Sequence, residues 1–455
     1  MELNLPDFFL IDLPEEIGVQ PKLVGEACDR LKENGDRYLK PRSTSQIAHS
    51  LCNLAENWQD DEFPFRRKLI EEGAEKSGFS IEVLLDGLDR MFSQWTPEKF
   101  EFWLTQEFGH VERLDNLVST RMEARENKSS IVRGPQLITH ITSGNLPVPA
   151  IMSMITGLLV KSSQFIKCAS GASFVPRLFA HSLYQHDSKL GACLEIAEWK
   201  GGRSDIESIL YEKADIVTVS GSDKAVDNVG EAVPHTSKFL DYGHKVSFGY
   251  ISRKSISGLG LKRLVSAAAQ DVMRWDQHGC LSPHVFYVQQ KGIVPPEKFA
   301  EMLAEELEKQ RLVFPRAPLS VRESAIMRSR RSFYEIRSAT SKDTVLYASQ
   351  DGTDWTVIYE DDIRFQMSCG NRFIYIKGVG SLDEALHGAV PIQEKISTVA
   401  LSAADDESDD LAKQIANWGA SRICPIGQMQ DPPLHWRHDG RPALAELISW
   451  SEWEM

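Results

Sequence analysis

At 455 residues the chain is too long for one ordinary hydrophobic core, so two or three domains are expected. Its 42% hydrophobic and 25% charged content is that of a globular protein, and its net charge of −14 argues against nucleic-acid or anionic-membrane partners, which select basic surfaces. There is no apolar run of membrane-spanning length, and seven scattered cysteines without a C-x-x-C pair indicate neither a disulfide framework nor a zinc site.

The opening Met1-Glu2-Leu3-Asn4 lacks the basic segment of a signal peptide, so a cytoplasmic enzyme is expected. Apolar residues at three- and four-residue spacing predict helices over Pro21 to Asn34, Ser43 to Glu56, Phe63 to Lys76, Ile81 to Trp95 and Pro97 to Phe108. Ser80 before Ile81 and Thr96-Pro97 before Glu98 are start signals. No chemistry is legible in this region.

From Ser130 short apolar runs alternate with helices, the pattern of a parallel α/β sheet. Leu137 to Ile141 reads as a buried strand, and the turn Thr142-Ser143-Gly144-Asn145-Leu146-Pro147 precedes a helix over Ala150 to Leu159. Such a turn aims side chains over the strand's C-terminal edge, where ligands bind in open α/β sheets; Asn145 is equally an ordinary turn residue. Gln164 to Ser170 is the next strand, followed by a helix over Val175 to Tyr184. Lys167 lies inside that strand, and a buried unpaired ammonium is costly enough to need a reason.

Trp199 to Gly202 and a helix over Ser204 to Glu212 lead to a strand ending in Ser220-Gly221-Ser222, where a helix opens at Asp223. A helix N-terminus behind a glycine offers N–H groups to an anion, although no G-x-G-x-x-G is present. Asp241-Tyr242-Gly243-His244-Lys245 follows; His244 reads as an acid/base, a cofactor contact or a structural histidine.

A helix over Gly260 to Met273 then delivers Trp275-Asp276-Gln277-His278-Gly279-Cys280-Leu281-Ser282-Pro283-His284, ahead of a strand from Val285. A thiol in such a turn is a nucleophile if backbone N–H groups or a cation lower its pKa, and otherwise a small apolar filler. Beyond it come a strand over Val285 to Gln289, a helix over Pro295 to Gln310 and an element at Phe333 to Ala339. Next are the turn Asp351-Gly352 with an alternating strand to Tyr359, a strand over Ser397 to Leu401 and a charged loop and helix to Trp418. The tail Arg422 to Arg441, rich in Pro, Trp and His, reads as a fixed loop and ends in an amphipathic stretch, Ala443 to Trp450.

Asp276-Gln277-His278-Gly279-Cys280-Leu281-Ser282-Pro283 resembles the nucleophile turn of the fatty-acyl-CoA reductases of luminous bacteria, a branch of the aldehyde dehydrogenase superfamily. Further stretches from Ile141 to the C-terminus fit the same family. The resemblance implies an α/β, aldehyde dehydrogenase-like fold with a helical N-terminal part (1–130), a Rossmann-like cofactor domain (131–255), a catalytic α/β domain (256–425) and a closing or oligomer-forming segment (426–455).

The resemblance makes Cys280 the nucleophile and Asn145 an oxyanion donor. It makes Lys167, with Ser170 nearby, a contact to the cofactor's ribose, and Ser220, Gly221 and Ser222 the turn beside its pyrophosphate. Cys168 stands where the family has proline, which concerns the loop's shape. Asp241 falls nearest the water-activating glutamate of hydrolytic relatives, and His244 replaces a glycine, so acid release is not expected.

The implied reaction is NADPH-dependent reduction of a long-chain fatty acyl thioester to the aldehyde through an S-acyl-cysteine, with NADH the alternative cofactor. Oxidation of an aldehyde to acid or acyl-CoA is the rival; reduction of an acyl phosphate and a silent binding subunit are others. Expected partners are acyl-CoA or another acyl thioester, an acyl-transferring or acid-activating enzyme, and copies of the chain in a dimer or tetramer.

Overall fold

A computed structural model describes residues 3–14, 17–255, 260–350 and 352–455; Met1, Glu2 and Asp351 lie outside these. The chain divides into two compact units, one of Met1–Ser77, Leu88–Gly243 and Pro433–Met455, the other of Gly78–Gly87 and His244–Pro432.

The first unit opens with helices Pro21–Asn34, Thr44–Trp58 and Pro64–Ser77, and includes Pro97–Phe108. Local sequence sets their ends. Ser43 and Gln46 form a reciprocal capping box, Thr96 accepts from the Lys99 N–H ahead of Pro97, and Gly109 stops its helix at φ 74°. Their apolar faces bury Trp58, Phe65, Phe100 and Trp103.

Strand β1 (Lys128–Arg133) leads to β2 (Leu137–Ile141), β3 (Ser163–Cys168), β4 (Leu194–Glu198), β5 (Ile216–Ser220) and β6 (Lys238–Tyr242). β2 to β6 form a parallel sheet in the order β4-β3-β2-β5-β6. The chain runs outward to one side from β2, then returns to the other, so the strand order reverses between β2 and β5. That reversal is where open α/β sheets bind ligands. Helix Pro21–Asn34 closes one face, packing Val24, Cys28 and Leu31 with Phe165, Val217 and Trp199. On the helical side, Trp58 donates its indole N–H to Ser182 Oγ at 2.9 Å, tying Thr44–Trp58 to Phe174–His186.

The second unit holds β7 (Val246–Ile251), β8 (Pro283–Gln289), β9 (Thr344–Ala348), β10 (Thr356–Glu360), β11 (Phe373–Val379), β12 (Ile396–Ser402) and β13 (Arg422–Pro425). They lie in the order β13-β12-β7-β8-β11-β10-β9, parallel except for β9. Alternate residues feed two cores: Val285, Tyr287, Phe373 and Tyr375 enter one face, Phe286, Val288, Ile374 and Ile376 the other. The chain ends in the first unit as β14 (Ser449–Glu454), antiparallel to β1, with Lys128 opposite Glu454.

Several expectations need correction. Phe333 to Ala339, an element without an assigned type, is the end of a longer, 20-residue helix, Val321–Thr340, started by the Ser320–Glu323 capping box. The strand after Gly352 does not alternate; all five residues of β10 are buried, because β9 and β11 flank it within a sheet covered on both faces. The stretch Ala443 to Trp450 is a short 3-10 turn, Ala445–Leu447, running into β14. β1, β4, β6, β7, β9 and β11 carried no prediction, and β13 begins the stretch Arg422 to Arg441 that reads as a loop.

Candidate active site

In the first unit the turns after β2 and β5 meet at the strand-order reversal. The Ser143 N–H donates to Ser220 Oγ at 3.2 Å, and Ser143 Oγ donates to Asn145 Oδ1 at 2.6 Å. That bond makes the Asn145 oxygen an acceptor and its NH₂ the donor end of an exposed side chain. A Cβ on Gly144 would stand 3.1 Å from Ala169 Cβ, so glycine lets the β2 turn approach the exit of β3.

At that exit Lys167 is 7% exposed, with Nζ 5.8 Å from the Trp199 ring centroid. Among the described residues its ammonium makes no hydrogen bond and no ion pair. Burial holds its pKa below the ordinary lysine value, against an opposing effect of Glu207. Glu207 itself accepts from Trp199 Nε1 and the Gly202 N–H, both at 3.1 Å. A buried cation without an acceptor, beside an aromatic ring at the sheet edge, fits the hydroxyl-rich ribose of a dinucleotide. Ser170 is exposed three residues on.

The turn Ser220-Gly221-Ser222 opens helix Asp223–Ala232, with the Gly221 N–H donating to Tyr242 O at 3.2 Å. Ser222 caps this helix through the Ala225 N–H at 3.4 Å, and Asp223 stands in its first turn. Both features temper the attraction for a phosphate. All six residues expected to touch cofactor or oxyanion in this unit therefore lie on one C-terminal sheet edge.

The seven cysteines of the two units sort themselves by burial. Burial pushes Cys28, Cys168, Cys193 and Cys424 up to about 12 and Cys52 up to about 11, which makes them inert fillers. Only Cys280 and Cys369 are partly exposed, and burial also raises the Cys369 thiol.

Cys280 sits in a backbone of unusual shape. Trp275, Asp276 and Gln277 have φ of 52°, 48° and 65°, and in the facing loop Asn371 and Arg372 have 57° and 64°. Left-handed non-glycine residues are costly and persist only where surroundings over-determine them. Here the two loops clamp each other. The Asn371 N–H donates to Asp276 O at 2.8 Å, His278 Nε2 and Asn371 Oδ1 are 3.1 Å apart, and buried Arg372 pairs with Asp276 at 2.6 Å. Gln277 donates to Pro283 O and Phe373 O, at 2.7 and 2.9 Å, and accepts from the Phe373 N–H at 2.8 Å. Behind the thiol, Ser247 Oγ donates to Cys280 O at 2.8 Å. Gln430 donates to Ser282 Oγ, and its loop is fastened by Asp271, which accepts from the Gly427 and Met429 N–H groups at 2.5 and 3.0 Å.

His244 and Cys280 precede the neighbouring strands β7 and β8, whose register pairs Ser247 with Pro283. His284 accepts from the Ser368 N–H at 3.0 Å; burial, helped by His244 and Arg330, lowers its pKa to about 4, so it is neutral at physiological pH. Asp241 belongs to the first unit, where Arg441 donates to its backbone oxygen and stands 3.6 Å from its carboxylate. Sequence reasoning missed Gln277, Ser247, Asn371 and Arg372. Gly370-Asn371 was a readable turn signal, whereas nothing local marked Ser247. No metal-binding cluster occurs among the described residues, and no helix among them is long and apolar enough to cross a membrane.

A sequence model of the family described as acyl-CoA reductase (LuxC) matches residues 39–450. A long-chain acyl-protein thioester reductase of Photorhabdus laumondii is 22% identical over 418 residues, covering 89% of this chain and 81% of the relative. Long-chain acyl-protein thioester reductase 2 of Photobacterium leiognathi is 21% identical over 421 residues, with the same coverage of 89% and 81%. Among solved structures, an NAD-dependent benzaldehyde dehydrogenase from Corynebacterium glutamicum is similar with a TM-score of 0.68 at 13% identity, covering 96% of this chain and 91% of that one. That likeness establishes the aldehyde dehydrogenase fold, and the match over nearly the whole sequence shows that the chain belongs to the acyl-CoA reductase (LuxC) family.

Proposed function

We propose that the chain reduces a long-chain fatty acyl thioester to the aldehyde, using NADPH, with Cys280 as the nucleophile. The observation that carries this reading is the clamped turn, which presents one partly exposed thiol in a chain whose buried cysteines are inert.

In this reading the Cys280 thiolate attacks the thioester carbonyl. The carbon–sulfur bond to the carrier breaks, the carrier thiolate leaves and takes up a proton, and an S-acyl-cysteine remains. Backbone N–H groups of the turn, with the Asn145 amide in the role the family resemblance gives it, hold the oxyanion. Lys167 and the turn Ser220-Gly221-Ser222 hold the cofactor, with Ser170 at the strand exit; bound there, a nicotinamide supplies hydride to the acyl carbon. Collapse of the resulting hemithioacetal releases aldehyde and restores the Cys280 thiolate.

Release of acid would require an activated water. Asp241, nearest in sequence to the glutamate that does this in hydrolytic relatives, is engaged by Arg441, which favours survival of the acyl-enzyme. The acyl donor is either a coenzyme A ester or a protein-borne thioester, the substrate named for the Photorhabdus and Photobacterium relatives.

Intact mass after mixing with palmitoyl-CoA, without cofactor, tests the reading beside Cys280→Ala and Cys369→Ala. The expected result is one acyl adduct, kept in Cys369→Ala, lost in Cys280→Ala and discharged as aldehyde on adding NADPH. An adduct that persists in Cys280→Ala would reject the assignment.

A further inference from the structure

The chain is acidic as a whole, yet between Arg311 and Arg337 it carries seven arginines against two glutamates. Most of this segment is the helix Val321–Thr340, which buries Met327, Arg331 and Tyr334 against its own unit. Arg331 is spent there, donating to Thr356 Oγ1, Gly352 O and Trp355 O. Arg322 and Arg328 are not: among the described residues neither has a carboxylate partner, and Arg330, although it donates to Met367 O, has none either. Arg322, Ile326, Phe333 and Ile336 follow one another at intervals of three, four or seven, and so share the face turned away from the core. That face is apolar as well as basic, with Ile326 41%, Phe333 56% and Ile336 69% exposed.

The helix also reaches the thiol's own turn. Glu323, in its first turn, interacts with Asn371 and with His278, two residues before Cys280. Arg330 donates to Met367 O at 2.6 Å, and the adjoining Ser368 donates its N–H to His284 and approaches Gln277 Oε1 at 3.4 Å.

We propose that this basic, apolar helix face is the docking surface for an acidic protein domain that carries the acyl group as a thioester. The proposal rests on the reductase reading above, takes from it the protein-borne thioester, and adds the place where that donor binds. Charge complementarity favours an acidic protein, and the apolar line supplies the anchors around which rim arginines steer and orient a partner. A membrane surface is less well matched, since only a few apolar side chains project and Glu335 is exposed among them.

The test compares wild type with Arg322→Glu/Arg328→Glu and with Phe333→Ser, all at exposed positions. The substrates are palmitoyl-pantetheine and the palmitoyl thioester of an acidic acyl carrier protein. The expected result is a KM for the carrier-bound substrate raised about tenfold in the variants, and reduced in salt sensitivity, with palmitoyl-pantetheine turnover unchanged. Equal effects on both substrates, or none on either, overturn the proposal. So does a changed sedimentation coefficient, which would assign the face to contacts between copies of the chain, or wild-type binding to phosphatidylglycerol vesicles that the variants lose. Wild type that reduces palmitoyl-pantetheine but not the carrier-bound substrate overturns the docking surface and leaves the reductase reading intact. Failure on both substrates rejects that reading, and the surface with it.

Discussion

The Ser247 hydroxyl bridges two strands' worth of backbone at the nucleophile: it donates to Cys280 O at 2.8 Å and accepts from the Thr398 N–H at 3.1 Å. Ser247 is fully buried, so no water replaces it. Ser247→Ala leaves a carbonyl and an N–H unsatisfied, at about 1–3 kcal/mol each. The expected outcome is a lowered Tm together with S-acylation of Cys280 slowed about tenfold, read by rapid-quench mass spectrometry. Acylation at the wild-type rate would show that the loop clamp alone holds the turn.

Gly87 makes a second demand on the same turn. A Cβ there would lie 2.0 Å from Trp275 Cζ2, with other indole atoms at 2.4 and 2.5 Å. Gly87 is in the helix Ile81–Phe92, where alanine would gain about 1 kcal/mol of helix propensity. The clash outweighs this, because the indole is rigid and Trp275 already sits at φ 52°; overpacking costs about 1–3 kcal/mol. Gly87→Ala should therefore unfold at lower temperature and acylate slowly. A more stable, fully active variant would mean that Trp275 does not set the turn.

How far the sequence revealed this arrangement follows from the reach of each signal. The helices Pro21–Asn34 and Pro97–Phe108 and the strand Leu137–Ile141 were readable to the residue, because capping chemistry and apolar periodicity act within a few positions. β14 was not, because its partner β1 lies more than 300 residues away and its own six residues are all exposed. Cys280 and Lys167 could be singled out because a thiol in a turn and a lysine in an apolar strand are locally odd. The clamp was hidden for the opposite reason: Arg372 pairs with Asp276, and Ser247 with Cys280, only after the sheet has brought β11 and β7 beside β8.

Asp271 gives the loop that carries Gln430 a pH dependence of definite sign. Burial pushes its carboxyl up to about 7 from 3.8, against the two N–H bonds that favour the charged form. Between these values the folded chain keeps a proton that the unfolded chain has released. Its contribution is therefore whole below pH ~4 and fades as pH rises through 7, by up to about 1.4 kcal/mol per pH unit. Asp271→Asn loses one N–H bond and is less stable at low pH, but it titrates nothing. Melts of both proteins from pH 5 to 8 should show their Tm values converging. A constant gap would mean that Asp271 is ionised throughout.

Lys167 lets stability and cofactor binding be pulled in opposite directions. Its ammonium is buried beside Trp199 without a hydrogen-bond acceptor among the described residues, and burial lowers its pKa, so the folded chain bears a desolvation cost that the charges of Glu207 and Glu198 offset only in part. Lys167→Met keeps an unbranched side chain against the indole and removes the charge. If the lysine is there for the cofactor, the variant should melt at higher temperature while NADPH affinity, followed by fluorescence titration without substrate, falls about tenfold, or about 1.4 kcal/mol. A fall in both would make Lys167 a structural residue of β3. A rise in Tm with unchanged affinity would mean that the ribose is held elsewhere on the sheet edge. Only the opposed pair of changes fits a charge retained at a cost in stability because the cofactor completes its coordination.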